Sequence, residues 1–307
     1  MSASASGELI VFQRTTSQHS VYVGDLAAGN RGLGELRRLT FGEARDDYPH
    51  AWTPDSKAIY VESSRTGHWA IFKQTLHRTT DEAVIQGSDD LYYSRVSPDG
   101  AWLLYIDRPR DWQETQPLSL MRFAFAGGLP QLVLKATAYA SWGFRFNCLS
   151  GLGRPCVLAE RRGNQIAFRA FDPLKGFNAA DKDVARIDFD PKAPLDWDLA
   201  PDGSRLAWAI FDPHKARVHI EGQSDVALKG WSGVHAISWS PNGDGWFVIT
   251  QLRDSWTLLH AGLDGRTHIL RQGSSRYTPW PVPSPDGRHL ALSQEGIVSN
   301  VWMLEER

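Results

Sequence analysis

The sequence predicts an all-β fold, a propeller of seven four-stranded antiparallel blades, with six blades as the alternative. Two observations predict this fold class. A turn of one composition recurs at intervals of about 40 to 45 residues, and an apolar run with the pattern of a short strand follows each copy. The chain also contains 13 Trp, 13 Phe and 8 Tyr, which is enough aromatic volume to fill the spaces between blades.

The recurring turn combines three residue types that each suit one position. Pro presets the φ of the second position, Asp or Asn bonds to nearby backbone, and Gly adopts the positive φ that ends the turn. The copies are Ser97-Pro98-Asp99-Gly100, Ala200-Pro201-Asp202-Gly203, Ser240-Pro241-Asn242-Gly243 and Ser284-Pro285-Asp286-Gly287, with Thr53-Pro54-Asp55-Ser56 as a variant.

Each unit supplies further strand patterns around its turn. An apolar run follows the turn, as at 102–105 and 246–249, and a second run follows a short polar loop, as at 118–121 and 256–259. A weaker third run and the segment before the turn complete the unit. Four strands within one period of this length are typical of a propeller blade.

The count of seven includes two degenerate copies, at 150–153 and at the N-terminus, where 4–7 precede an apolar run at 9–12. One propeller domain is predicted over residues 1–307. The last blade is expected to be incomplete, with an unpaired edge, because too little chain remains for a fourth strand. The approximate predicted blades are 1–46, 47–90, 91–138, 139–193, 194–232, 233–277 and 278–307.

Charge and hydropathy narrow the possible partners. Lys and Arg total 33 against 35 Asp and Glu, a net charge of −2, so the chain lacks the basic field that favours direct binding to nucleic acid. No apolar run is long enough for a transmembrane segment. The N-terminus lacks the pattern of a signal peptide, so this chain is not expected to be exported by itself, and its localisation stays unknown.

Several segments resemble a known family. Trp52 and Trp239 stand directly before turns, as in the WD-like repeats of TolB-like propellers. The segments 47–52, 196–199 and 299–305 resemble the C-terminal propeller region of bacterial winged-helix transcriptional regulators and Ser/Thr protein kinases. This resemblance spans the whole chain.

The resemblance implies a non-catalytic sensory or interaction module within a larger bacterial signalling regulator. Such a module would bind a protein, a peptide or a small-molecule ligand whose identity the pattern does not define. If the parent protein is anchored in a membrane, this domain would lie in the periplasm.

Two other functions are weighed against a binding module: a propeller enzyme that acts as a polysaccharide lyase or hydrolase, and a free-standing TolB-like envelope scaffold. The nearest approach to a Gly-x-Ser-x-Gly motif, at 230–234, ends in Val234. Zinc-protease and calcium-loop patterns are missing, and His68 and His214 are isolated loop residues that could both face the channel mouth. We therefore expect no catalytic residue, no metal and no cofactor.

The two cysteines end and begin neighbouring predicted strands. Cys148 and Cys156 would lie opposite each other on one hairpin, where a disulfide is geometrically possible. Two buried free thiols are the alternative. A disulfide would indicate an oxidising compartment.

The binding site is predicted on one face of the ring. Loops joining the second strand to the third, and the fourth strand to the next blade, meet at one end of the channel, which we call the mouth. Arg recurs in the first set of loops, and acids and aromatics in the second; Arg and aromatic residues dominate interface hot spots. A solvated, charge-balanced surface is the alternative. The predicted binding residues are Arg65, Arg108, Arg110, Arg162, Arg253, Arg276, Asp47, Asp90, Tyr92 and Trp142.

Overall fold

The computed structural model of the chain is built from β-strands arranged as six antiparallel sheets. It describes residues 2–3, 9–42, 45–78, 80–114, 116–139, 144–149, 151, 156–178, 183–188, 190, 193–252, 255–273 and 280–305. Within these ranges the helical structure is a single 3₁₀ turn at Ala28–Asn30, and no helix could cross a membrane.

Strands in chain order account for the six sheets, beginning with β1 (Ser2–Ala3), β2 (Leu9–Asp25) and β3 (Arg37–Arg38). Five blades of four consecutive strands follow. The first is β4 (Asp47–Trp52), β5 (Ala58–Ser63), β6 (Ala70–Thr75) and β7 (Asp81–Ile85), and the second is β8 (Asp90–Val96), β9 (Trp102–Arg108), β10 (Pro117–Ala124) and β11 (Gln131–Thr137). The third is β12 (Arg145–Cys148), β13 (Cys156–Arg162), β14 (Gln165–Phe171) and β15 (Asp183–Asp188). The fourth is β16 (Leu195–Leu199), β17 (Leu206–Ile210), β18 (Arg217–Ile220) and β19 (Val226–Ala227). The fifth is β20 (Val234–Trp239), β21 (Gly245–Leu252), β22 (Ser255–Gly262) and β23 (Thr267–Gly273), and the chain ends with β24 (Val282–Pro283) and β25 (His289–Glu305).

The ring has six blades, so the prediction of seven is wrong and the six-bladed alternative applies. The sixth blade takes β24 and β25 from the C-terminal part of the chain and β2 and β3 from the N-terminal part. β2 and β25 pair without interruption from Leu9↔Glu305 to Asp25↔His289. The units counted as first and last blades are therefore two halves of one blade.

This closure also corrects the expected open edge. β25 gains β2 as its neighbour, and β3 pairs with β2 at Tyr22 and Val23. The pairing satisfies backbone N–H and C=O groups that an incomplete blade would leave exposed. Each half carries its own strand pattern, which is why the sequence suggested two blades.

The pair β2–β25 continues beyond the blade as a two-stranded ribbon. β24 pairs with β25 only at Leu290 and Ala291. Beyond the blade, residues 9–18 pair with residues 296–305, and β1 pairs with Ile10 and Val11 of β2. Apolar side chains of the ribbon are exposed, among them Val301 at 73% and Met303 at 64%. Among the side chains that the structure describes, no ribbon residue belongs to a buried apolar cluster.

The recurring turns close the inner hairpin of five blades, all but the third. In the second blade Ser97 Oγ accepts a hydrogen bond from the Trp102 N–H at 2.9 Å, and Asp99 accepts one from the Ala101 N–H at 3.1 Å. Gly100 has φ 72°, as the turn requires. The Ser or Thr before Pro thus ties the turn to the next strand. We call the ring surface that carries these turns the turn face.

Candidate functional site

Three of the predicted mouth residues form one cluster in the second blade. Arg108 Nη2 lies 3.1 Å from Asp90 Oδ2 and donates to the Tyr92 hydroxyl at 2.6 Å. Its guanidinium group also lies over the Tyr92 ring, 4.5 Å from the centroid. The cluster fixes Arg108 at the mouth with its charge already paired.

Arg65 and Asp47 form a second cluster, in the first blade. Asp47 is 1% exposed and pairs with Arg45 at 3.0 Å and with Arg65 at 3.6 Å. Arg65 also pairs with Asp81 and lies over the Phe72 ring at 3.9 Å. Burial, followed by the charge of Arg45, lowers the pKa of Arg65. These contacts hold the blade together and occupy the charges of both residues.

The other predicted residues are scattered. Arg162 pairs with Glu160 at 3.0 Å in the third blade, and Arg110 is exposed. Arg253, Arg276 and Trp142 lie outside the described residues. His68 and His214 belong to different blades, and the described part of the chain contains no group of three His, Cys, Asp or Glu side chains placed to hold a metal ion.

The mouth also contains a row of four aromatic rings, of which only Tyr92 was predicted from the sequence. Ring centroids lie 5.1 Å apart for His19 and Tyr48, 5.6 Å for Tyr48 and Trp69, and 5.9 Å for Trp69 and Tyr92. The row connects the sixth, first and second blades. The available signal was that each of these residues stands in or next to a loop predicted at the mouth.

A cavity of about 570 Å³ occupies the channel and extends to the turn face. Prolines of five turns surround this end, and Trp52, Trp239 and Trp280 contribute aromatic walls; the prolines are Pro54, Pro98, Pro201, Pro241 and Pro285. None of the predicted binding residues that the structure describes lines it. Its volume lies within the range of small-molecule sites.

The inner end of the cavity is charged. Arg95 and Arg145 both line it, as does Asp198. Arg145 pairs with Asp196 and lies near three rings, 5.8 Å from Tyr93, 5.9 Å from Trp197 and 6.0 Å from Trp280. The aromatic rings and the carboxylate hold this guanidinium group in place.

The buried carboxylates here connect the inner strands of neighbouring blades. Asp196 Oδ2 accepts from the Ile237 N–H and Asp198 Oδ2 from the Trp239 N–H, both at 2.7 Å. Burial raises the pKa of Asp198. The fourth and fifth blades are therefore joined by side-chain acceptors for main-chain donors at the inner edge.

Arg95 is bound differently from Arg145. Its Nη1 donates to the carbonyl oxygens of His50 and Ser94, the latter at 2.9 Å. Burial, followed by the charge of Arg145, lowers the pKa of Arg95 to about 10. Arg95 and Arg145 were not predicted from the sequence, although each interrupts an apolar segment in an inner strand, β8 and β12 respectively.

A disulfide joins Cys148 to Cys156 across β12 and β13, with Cα atoms 4.1 Å apart. The two residues are register partners at the end of the hairpin. Cys148 also lines the cavity. The disulfide thus connects the cavity wall to the second strand of the third blade.

No family model matches the chain. Curated relatives match only parts of it. An uncharacterized protein of Agrobacterium fabrum is 32% identical over 85 residues, 25% of this chain and 29% of the relative. Dipeptidyl-peptidase 5 of Porphyromonas gingivalis is 28% identical over 98 residues, 28% of this chain and 14% of the relative. The chain therefore spans less than a third of either relative.

Solved structures show the fold more completely. A protein assigned as TolB from Agrobacterium tumefaciens has a TM-score of 0.63 at 17% identity, with 91% of this chain and 99% of that chain covered. This chain therefore has a TolB-like β-propeller fold. The similarity to winged-helix regulators and kinases stays a prediction.

The prediction that the chain is not an enzyme is wrong as it stands, because enzymes share its fold. Oligogalacturonate lyase in complex with manganese has a TM-score of 0.54 at 14% identity, covering 89% of this chain and 77% of that chain. The puromycin hydrolase S511A mutant has a TM-score of 0.52 at 14% identity, covering 87% and 47%. One curated relative is a peptidase. The fold hosts catalysis as well as binding.

Proposed function

We propose that the chain is a ligand-binding module whose ligand enters the central cavity from the turn face. The observation that carries this proposal is the cavity of about 570 Å³, with aromatic walls and a charged inner end. Binding sites of this kind combine an apolar lining with a few polar groups that orient the ligand. A small molecule or the end of a peptide fits this volume.

Rigid elements surround the opening and favour a preformed site. The turn prolines have a fixed φ, and hydrogen bonds such as Ser284 Oγ to Asp286 Oδ1 at 2.6 Å hold the turns in shape. A preformed site loses little conformational entropy when a ligand binds. The same turns that end the inner strands would therefore define the entrance.

The role within a larger bacterial signalling regulator is part of this proposal and is supported by the resemblance of 47–52, 196–199 and 299–305. The mouth is a second proposed surface. There Arg110 is exposed, whereas Arg65 and Arg108 are already paired with carboxylates. This difference favours the cavity over the mouth as the main site.

A fragment titration followed by NMR tests the proposed site. The indole N–H signals of Trp52, Trp239 and Trp280, assigned through single Trp→Phe variants, should shift when a fragment binds. Trp102 and Trp112, outside the cavity, serve as controls. Fragments that bind but shift only the two control signals would contradict the proposal.

A further inference from the structure

We propose that the ligand of this cavity carries a carboxylate, which Arg95 recognises at the inner end. This inference rests on the proposed function and adds the chemical class of the ligand. It is carried by the hydrogen bonds of Arg95 and by the partners that the neighbouring acids Asp196, Asp198 and Glu62 already have.

Arg95 lacks a carboxylate partner among the residues that the structure describes. Its recorded hydrogen bonds go from Nη1 to two main-chain carbonyls, those of His50 and Ser94. A guanidinium group has five N–H donors, so most of its donors are available to a ligand. Arg95 lines the cavity, and a carboxylate bound there would accept charge-assisted hydrogen bonds from these donors.

The acids around Arg95 are occupied by other donors. Asp196 pairs with Arg145 and accepts from the Ile237 N–H and, at 3.2 Å, from the Trp280 indole. Both oxygens of Asp196 therefore already have partners other than Arg95.

Asp198 and Glu62 are occupied in the same way. Asp198 accepts from the Leu199 N–H at 2.8 Å, from the Trp239 N–H and from Asn147. Glu62 accepts from the Tyr93 N–H and lies 3.0 Å from His50 Nε2. These acids join blades, and among the described residues none of them forms a hydrogen bond or an ion pair with Arg95.

The surroundings select the kind of anion. Arg145 is close enough to Arg95 to lower its pKa, so two positive charges lie near the inner end. Asp198 and Asp196 lie close by, and their negative charge disfavours a dianion such as a phosphate monoester. The walls formed by Trp52 and Trp239 suit an apolar body. The predicted ligand is therefore an aromatic or aliphatic monocarboxylic acid or a peptide carboxylate.

Probes that share a phenyl ring test the charge requirement, and the acid and the amide among them are also matched in shape. Phenylacetate, phenylacetamide and phenyl phosphate are titrated into the wild-type chain by calorimetry, and the three cavity indole signals are followed by NMR. We expect phenylacetate to bind at least about tenfold more tightly than the other two. Arg95→Gln should remove the preference for the acid over the amide, and Arg95→Lys should keep part of it. Arg266→Gln, at a side chain that is 87% exposed and lies outside the cavity lining, should leave the preference unchanged.

The outcomes separate this inference from the proposed function. If acid and amide shift the cavity indoles with equal affinity, the carboxylate inference is wrong and the cavity proposal stands. If phenyl phosphate binds most tightly, the carboxylate inference is wrong and the cavity recognises a dianion instead. If no probe shifts the cavity indoles, both proposals fail. The acid and amide comparison on the wild-type chain needs no variant, so it remains decisive even if Arg95→Gln does not fold.

Discussion

Tyr22 lies directly opposite Leu292 in the sixth blade, although the two residues come from opposite ends of the chain. This pairing places β2 beside β25 and closes the ring. Val21 and Val23 of β2 are 0% and 2% exposed and pack with Trp52 and Ile59 of the first blade. The N-terminal strand is therefore part of the core.

Val21→Ala should lower the free energy of unfolding by about 1 to 3 kcal/mol, because it removes buried methyl groups at the ring closure. Val11→Ala, on the same strand but in the ribbon and 37% exposed, is the matched control and should change it by less than about 0.5 kcal/mol. Urea unfolding of both variants measures the difference. Equal losses would contradict the role given to the closure.

The ribbon should exchange its backbone amides faster than the blade from which it extends. Two strands without a packed face are marginally stable, so residues 9–18 and 296–305 should open independently of the ring. Hydrogen exchange followed by mass spectrometry compares them with residues 20–25 and 289–294. Similar protection in both segments would show that the ribbon is stabilised by contacts not identified in the structure.

Gly100→Ala should destabilise the chain by about 1 to 2 kcal/mol, because an alanine would have to adopt the φ of 72° found there. The added Cβ would meet Pro54 only at 4.0 Å, so backbone conformation rather than crowding is the cause. Gly32→Ala is the control, since its φ lies outside that region and its Cβ has room. Thermal unfolding measures both, and a larger loss for Gly32→Ala would refute this account.

The turn carboxylates should make the chain sensitive to acid. The hydrogen bond from Ser97 Oγ, more than any other cause, lowers the pKa of Asp99 below its usual 3.8. A lowered pKa stabilises the fold above the unfolded value, and this contribution is lost as the pH falls through the folded pKa. Asp99→Asn should therefore reduce the loss of stability between about pH 4 and pH 2. Asp111→Asn, at an exposed residue outside the turns, should leave the acid limb of the stability curve unchanged.

Reduction of the disulfide should cost about 2 to 3 kcal/mol of stability, as expected for a closed loop of this length. Chain purified from an oxidising compartment should show no reactive thiol after unfolding without reductant. Cys148→Ser with Cys156→Ser is the matched variant and should equal the reduced chain in stability. Two reactive thiols in the unreduced chain would exclude the disulfide.

Local patterns were predictable from the sequence, and long-range ones were not. The turn at 97–100 and the opposition of Cys148 and Cys156 depend on neighbouring residues, so composition and spacing indicate them. The pairing of Tyr22 with Leu292 joins the two ends of the chain. Each half of the sixth blade has the strand pattern expected of a complete blade, so the sequence does not indicate that the halves combine. Arg95 was missed because a single Arg in an inner strand has no motif, and its importance depends on acids from two other strands, β5 and β16.

Intermolecular nuclear Overhauser effects in the phenylacetate complex test the central claim most directly. We expect contacts from the phenyl ring of the ligand to the indole protons of Trp52, Trp239 and Trp280, at the turn face of the propeller. Contacts to Tyr48, Trp69 and Tyr92 instead would place the ligand at the mouth and contradict the cavity as the binding site.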